Sequence, residues 1–392
     1  MKNKIEKLMN KLEKDLIKFT QDIIKIKSYT GHEKELAFFI KEKMEKLGYD
    51  KVIFDDLGNV IGVIGNGEKK ILFDSHIDTV EVSDPEKWEM DPFGGEIKEG
   101  RIYGRGSCDM KAGVAATIYA GYMAKELGLT NGKTVYISTS LMEEDYDGVA
   151  LEYILTKDEI KPDYVVVCEP SELKLAIGHR GRTLIKITTK GISAHGSFPE
   201  KGENAVYKMN KIIKKIEELE NKFEKINGER GSVALSKIES NSVSLNAVPD
   251  LCSIYLDRRL IIGENKKFIK EEIEMLIEGT DAEWEIYNQI GESWTGKETI
   301  LHSFLPAWEI DQEHILVKSA VESFERLNNK KPEIFKWDFS TNGVTSAGKY
   351  GIPTIGFGAG EPKYAHTKDE NCSVEEIIEA CKFYSMLVFN LK

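Results

Sequence analysis

Apolar residues recur at helical spacing through the first part of the chain. Residues 2–47 fit two amphipathic helices, and in the second Leu36, Phe39, Ile40, Met44 and Leu47 share one face. Gly48 follows as a C-terminal stop. The period then shortens. KVIF at 51–54, NVIGVIG at 59–65 and KILFD at 70–74 predict strands, and two more are expected to pair across Glu99–Gly100. A helix of small residues is expected from Ala112 to about Glu126. Strand TVYISTS at 134–140, a helix after Asp147 and strand YVVVC at 164–168 come next. Strands alternating with helices predict an α/β sheet covered on both faces.

The pattern changes after Gly181. RTLIKITTK at 182–190 predicts a strand. A long helix is expected from Glu203 to about Ile226, with Val206, Met209, Ile212, Ile213 and Ile216 on one face. SVALSKI at 232–238 and LCSIYLDRR at 251–259 predict strands, Asn265 to about Ile277 a helix, and AEWEIYN at 282–288 a strand. That order is β-α-β-β-α-β, the ferredoxin-like arrangement. It predicts a small domain over 181–292 inserted into a larger one made of 1–180 and 293–392. In the last part a helix is expected at about 312–327, a strand in GIPTIGF at 351–357 and a helix from Ser373.

A length of 392 residues agrees with two domains. The net charge of −12 argues against nucleic acid and against an anionic membrane as partners. No apolar run approaches the roughly 18 residues of a membrane-spanning helix. The opening MKNKIEKLMNKLEKDLIKF has charges every few residues and lacks the apolar core of a secretory signal. Five scattered cysteines form no CxxC, so the expectation is a reducing cytoplasm and no disulfide framework.

Candidate chemistry sits where strands end, the usual place for sites in open α/β sheets. Ile71, Leu72 and Phe73 run into Ser75-His76-Ile77-Asp78. In an extended segment His76 and Asp78 point to one side, so His76 can hold a metal while Asp78 fixes its other ring nitrogen; a chance pair reads the same way. Asp109 lies in GRGSCDMK just before the small-residue helix, where it can bridge two cations or simply cap the helix. Strand 134–140 ends in Leu141-Met142-Glu143-Glu144-Asp145, three adjacent carboxylates that are costly to bury without a cation or water. Strand 164–168 ends in Cys168-Glu169-Pro170, and Tyr364-Ala365-His366 follows a Gly-rich run. His76, Asp109, Glu144, Glu169 and His366 form a mixed nitrogen and oxygen donor set. Such a set suits zinc, cobalt or manganese better than magnesium or calcium.

SHIDTV, GRGSCDMKAG, LMEED, CEP and the late AH pair, in this order, resemble the M20 family of di-metal amidohydrolases, over nearly the whole chain. That family includes acetylornithine deacetylase, succinyl-diaminopimelate desuccinylase, aminoacylase and glutamate carboxypeptidase. WDFSTNG at 337–343 and PAWEID at 306–311 resemble its selenium-metabolism-linked subgroup, a label that names no substrate. The resemblance implies a di-metal catalytic domain with a mixed sheet flanked by helices, and makes 181–292 a lid and dimerisation domain. It implies two divalent ions, zinc first, with cobalt or manganese as alternatives. His76 and Glu169 would bind one ion and Glu144 and His366 the other, with Asp109 between them. Asp78 would orient His76, and Glu143 would be the general base. His195, in GISAHG, would contact the substrate carbonyl; without the resemblance it reads as a surface loop histidine. Asn246 and Arg259 would bind substrate oxygens. The peptide bond after Asp109 would be cis. Cys108 and Ala112 depart from the family's usual residues but keep small volume.

The expected activity is hydrolysis of the amide bond of a small N-acyl amino acid, in a cytoplasmic homodimer formed through the lid. A di- or tripeptidase or carboxypeptidase of the same family would use the same centre. A non-catalytic binding protein on this fold would have lost ligands or base, yet all are present. A dinuclear phosphoesterase would show a Lys/Arg-lined phosphate loop, and none is evident.

Overall fold

The computed structural model describes residues 1–391 apart from 159, 224, 227, 228 and 243. Its helices are α1 (Lys2–Lys25), α2 (Lys34–Lys46), α3 (Ala112–Glu126), α4 (Val149–Thr156), α5 (Ala205–Glu220), α6 (Lys266–Ile277), α7 (Ile315–Asn328) and α8 (Val374–Asn390). The chain divides into two units, Met1–His179 with Ile290–Ile300 and Glu309–Lys392, and Arg180–Gln289 with Leu301–Trp308. Among the described residues, no helix is long and apolar enough to cross a membrane.

The first unit is built on a nine-stranded mixed sheet. Strand Lys69–His76 is its pivot, lying parallel to Lys133–Ser140 on one side and to Tyr164–Val167 on the other. The apolar runs Ile71–Phe73, Val135–Ile137 and Tyr164–Val167 put their middles in the interior, as strands covered on both faces require. Val60–Gly65 and Lys51–Phe54 extend the sheet antiparallel beyond Lys133–Ser140. Thr354–Gly356 continues it beyond Tyr164–Val167, followed by Leu175–His179 and, beside that strand, Ile334–Trp337. The last two lie outside the sequence expectation.

Helix α3 is buried along nearly its whole length, in keeping with its Ala- and Gly-rich sequence. A Cβ on Gly113 would meet the carbonyl oxygen of Cys168 at 2.8 Å, so only glycine lets the start of this helix approach the strand end that carries Glu169. Helix α8 packs on α1, α3 and α7. Ser373 caps it, its side chain accepting from the Glu376 amide.

The second unit has a five-stranded sheet in which Ser232–Asn241, Leu251–Leu260, Gly181–Lys190 and Glu283–Ile286 lie side by side in that order, all antiparallel. Phe304–Leu305 pairs with Thr183 and Arg182, so against the expected 181–292 the unit takes in 301–308, while 290–292 fall in the first unit. Met209, Ile212 and Ile216 of α5 and Ile269 and Ile273 of α6 share its core with Ile185, Ile187, Ile254 and Leu256. Helix α5 stops at Glu220 and not near Ile226, and the chain beyond it pairs instead as a short antiparallel ladder of Lys225–Ile226 with Glu229–Arg230. Buried Arg258 is paired with Glu264 and Glu272 at 2.7 and 2.9 Å. All five cysteines are free and buried.

Candidate metal centre

Parallel neighbours bring their C-terminal ends to one edge of a sheet. His76 is in register with Ser140, and Asp74 with Val167. The three strands therefore deliver His76, the Glu143-Glu144 pair and Glu169 to the same place. Adjacent residues of a strand face opposite sides, so Glu143 and Glu144 can converge only if the chain turns. It turns at Met142, whose φ is +57°. Asp109 enters from Ser107–Lys111, ahead of α3, with non-helical backbone and a cis bond to Met110. His366 follows the turn Pro362–Tyr364 and also has a left-handed backbone, φ +60°. Non-glycine residues adopt that conformation only where their surroundings enforce it.

The two carboxylate oxygens of Asp109 face different imidazoles. Oδ1 is 3.0 Å from His76 Nε2, and Oδ2 is 3.3 Å from His366 Nε2. Glu169 lies 3.6 Å from His76 Nε2, and Glu144 lies 2.8 Å from His366 Nε2. Glu143 is farther out, 3.9 Å from His76 Nε2. The structure thus gathers His76, Asp109, Glu143, Glu144, Glu169 and His366 into two half-sites joined by Asp109. Donor atoms of His76, Glu143 and Glu169 lie within 4.8 Å of one another, as do those of His76, Asp109 and Glu144.

Asp78 does more than the sequence suggested. Its backbone carbonyl oxygen is 3.0 Å from His76 Nδ1, closer than its carboxylate at 3.4 Å. The carboxylate accepts the backbone N–H groups of Glu143 and Glu144 at 2.9 and 3.1 Å. Sequence reasoning missed Glu370, which accepts the N–H groups of Cys108 and Asp109 at 2.9 and 3.0 Å and is paired with buried Arg105 at 2.6 Å. It also missed Asn342, which donates to Asp74 at 2.8 Å and to Ser140 Oγ at 3.1 Å. Asp74, a charge inside an apolar strand, was the one visible signal of that network.

The cluster traps positive charge. Burial pushes Glu144 up to about 7, helped by the Asp109 charge. Burial drives Glu143 and Glu169 well above the carboxylate range. Burial opposes a charged His76, yet the Glu169 charge and hydrogen bonds to Asp109 and Asp78 hold its ring well above the usual value. Hydrogen bonds to Asp109 and Glu144 raise His366 to about 10. Glu144 Oε1 is buried without a hydrogen-bond partner, an arrangement that is costly unless a cation meets the oxygen. These residues fit a pair of divalent cations.

The other three expected site residues belong to the second unit. His195 and Asn246 are exposed and adjacent, through the His195–Ala247 bridge and a hydrogen bond from Gly196 N to Asn246 O at 2.6 Å. Ser197 N donates to His195 Nδ1 at 3.1 Å, so the neutral ring carries its hydrogen on Nε2. Arg259 is not beside them. It pairs with Arg182 at one end of strand Leu251–Leu260, whereas Leu251 pairs with Lys190 at the other, about 26 Å away at roughly 3.3 Å per residue. Its guanidinium is held by Asp257 at 2.9 Å.

The sequence profile of peptidase family M20/M25/M40 matches residues 72–390. An uncharacterised Escherichia coli (strain K12) protein, YgeY, is 38% identical over 366 residues, 92% of this chain and 91% of that one. The acetylornithine deacetylase of Buchnera aphidicola subsp. Schizaphis graminum is 28% identical over 85% of this chain and 83% of its own. Among solved structures, the M20 metallo-carboxypeptidase Sso-CP2 of Sulfolobus solfataricus superposes with a TM-score of 0.74 at 19% identity, over 95% of this chain and 98% of that one. A dinuclear metal-binding M20 peptidase of Bacillus subtilis, YXEP, gives 0.70 at 15% identity, over 97% and 98%. Profile and relatives together cover both units, and the chain belongs to peptidase family M20/M25/M40, whose members hydrolyse amide and peptide C–N bonds.

Proposed function

We propose that this chain is a metal-dependent amidohydrolase that cleaves the amide bond of a small, carboxylate-bearing N-acyl amino acid. The observation that carries the reading is Asp109, with one carboxylate oxygen toward His76 and the other toward His366. His76 and Glu169 would hold one ion, His366 and Glu144 the second, and Asp109 both. Zinc leads among the candidates, with cobalt and manganese next. The chemistry supplied at such a centre is acidification of a water and polarisation of the scissile carbonyl. Glu143 takes the water's proton and passes it to the leaving nitrogen, giving an acid and an amine. The Nε2–H of His195 donates to the carbonyl oxygen as negative charge grows there. Arg259 clamps the substrate carboxylate, exchanging its bond to Asp257 for one to the ligand.

Two features support a homodimer through the second unit. One substrate touching both His195 and Arg259 of a single chain would have to bridge the length of strand Leu251–Leu260. A second copy supplying His195 and Asn246 removes that demand. Strand Ser232–Asn241 is an edge strand with an exposed outer half, and such edges call for cover. Light scattering at micromolar concentration is expected to give twice 44.3 kDa. A monomer would refute this assembly.

The substrate class is tested by offering N-acetyl, N-succinyl and N-carbamoyl amino acids, beside di- and tripeptides, to zinc- and cobalt-loaded protein. Turnover of the N-acyl amino acids above the peptides is expected; the reverse order makes the chain a peptidase. The reading also places the protein in the cytoplasm, in keeping with its buried free thiols.

A further inference from the structure

The loop between α1 and α2 holds a carboxylate that the chemistry above leaves unused. Glu33 is fully buried at the N-terminus of α2, but its side chain makes no capping bond to that helix. Its Oε1 accepts the N–H of Gly31 at 3.0 Å and the N–H of Met142 at 3.2 Å, the latter 109 residues away in sequence. Met142 is the left-handed residue on which the convergence of Glu143 and Glu144 depends. A buried N–H needs an acceptor, and a methionine stays at positive φ only where neighbours hold it.

The same loop braces the facing strand end. Ser28 Oγ donates to Ile77 O at 2.7 Å, the Thr79 N–H donates to Ser28 O at 2.9 Å, and Thr30 Oγ1 donates to Asp78 Oδ2 at 2.8 Å. Asp78 in turn holds the Glu143 and Glu144 amides. Residues 28–33 therefore grip the Glu143-Glu144 turn twice, at Met142 through Glu33 and just beyond it through Thr30 and Asp78.

We propose that Glu33 is a positioning residue for the general base: through the Met142 N–H it fixes the left-handed turn that presents Glu143 and Glu144 to the centre together. The inference rests on Glu143 being the base. A side chain needed only to fill space could be replaced by any group of similar volume. A positioning role requires the accepting oxygen. Glu33→Met removes the oxygen at similar volume, and Glu33→Gln keeps it.

Two readouts on the full chain test this. In metal-free protein, amide hydrogen exchange at Met142 is expected to quicken about tenfold or more in Glu33→Met and to stay near wild type in Glu33→Gln. In zinc-loaded protein, kcat is expected to fall about tenfold or more in Glu33→Met with little change in KM, and to hold within about threefold in Glu33→Gln, since misplacing a group by about 1 Å can cost about 100-fold. Unchanged Met142 exchange in Glu33→Met, or an unchanged kcat, overturns the proposal. So does a Glu33→Gln variant that loses protection and kcat as Glu33→Met does. If Glu33→Met does not fold, Glu33→Gln decides by the same two readouts. Glu143→Gln is the control. Should it keep full kcat, the base assignment fails, while Met142 exchange still decides whether Glu33 holds the turn.

Discussion

Glu143→Gln is expected to lower kcat by about 10²–10⁴, the usual range for a general base, with metal content unchanged. The substitution keeps size and one oxygen but removes the ability to take a proton. Its neighbour should behave differently. Glu144 sits 2.8 Å from His366 and has an unpartnered buried oxygen, so Glu144→Gln replaces a charged donor by a neutral one. One ion should then be lost or bind more weakly. Kinetics and metal analysis on both variants decide the matter. Near wild-type kcat in Glu143→Gln would end its assignment as base. Loss of metal from Glu143→Gln but not from Glu144→Gln would reverse the two roles, and Glu143 does lie close enough to His76 and Glu169 to make that comparison worth running.

Exhaustive chelation should abolish turnover, and zinc or cobalt should restore it; full turnover at a metal content near zero would refute a metal-dependent mechanism. Chelation should also leave a pH-dependent mark on stability. Without the ions, Glu144 has a folded value of about 7 against an ordinary 4.5. Its protonated form is favoured in the fold, so that contribution is complete below pH 4.5 and lost as pH rises through 7. His366, at about 10 against 6.5, contributes fully below 6.5 and loses that contribution as pH rises through 10. Both act in one direction. Metal-free protein should lose stability from about pH 4.5 to about pH 10, and the rise in Tm on adding zinc should grow over the same window. A zinc effect on Tm that is flat or shrinks with pH would contradict this charge assignment.

Much of the centre was legible in the sequence because His76, the Glu143-Glu144 pair and Glu169 are an imidazole and carboxylates where largely apolar strands end, while Asp109 and His366 follow glycine-rich segments. The expected mixed sheet is present, and the small-residue helix 112–126 falls where its composition put it. What stayed hidden acts through space. Glu33 and Glu370 accept backbone N–H groups from segments more than a hundred residues away, and no periodicity marks them off from the other acidic residues of an acidic chain. Asp78 was found, but its main work falls on the amides of a distant turn and not on the histidine two residues before it. The separation of Arg259 from His195 was equally invisible, since it depends on strand register and not on motif spacing.

The five cysteines offer a use unrelated to catalysis. Each thiol is fully buried, and a thiol reacts with a labelling reagent only when the chain around it opens. Cys108 adjoins Asp109 and Cys168 adjoins Glu169, whereas Cys252 lies in the core of the second unit and Cys381 on α8. Labelling followed by mass spectrometry would therefore time four places in one molecule with native residues as clocks. The thiols beside Asp109 and Glu169 would show whether the centre opens on its own or only when the whole unit unfolds.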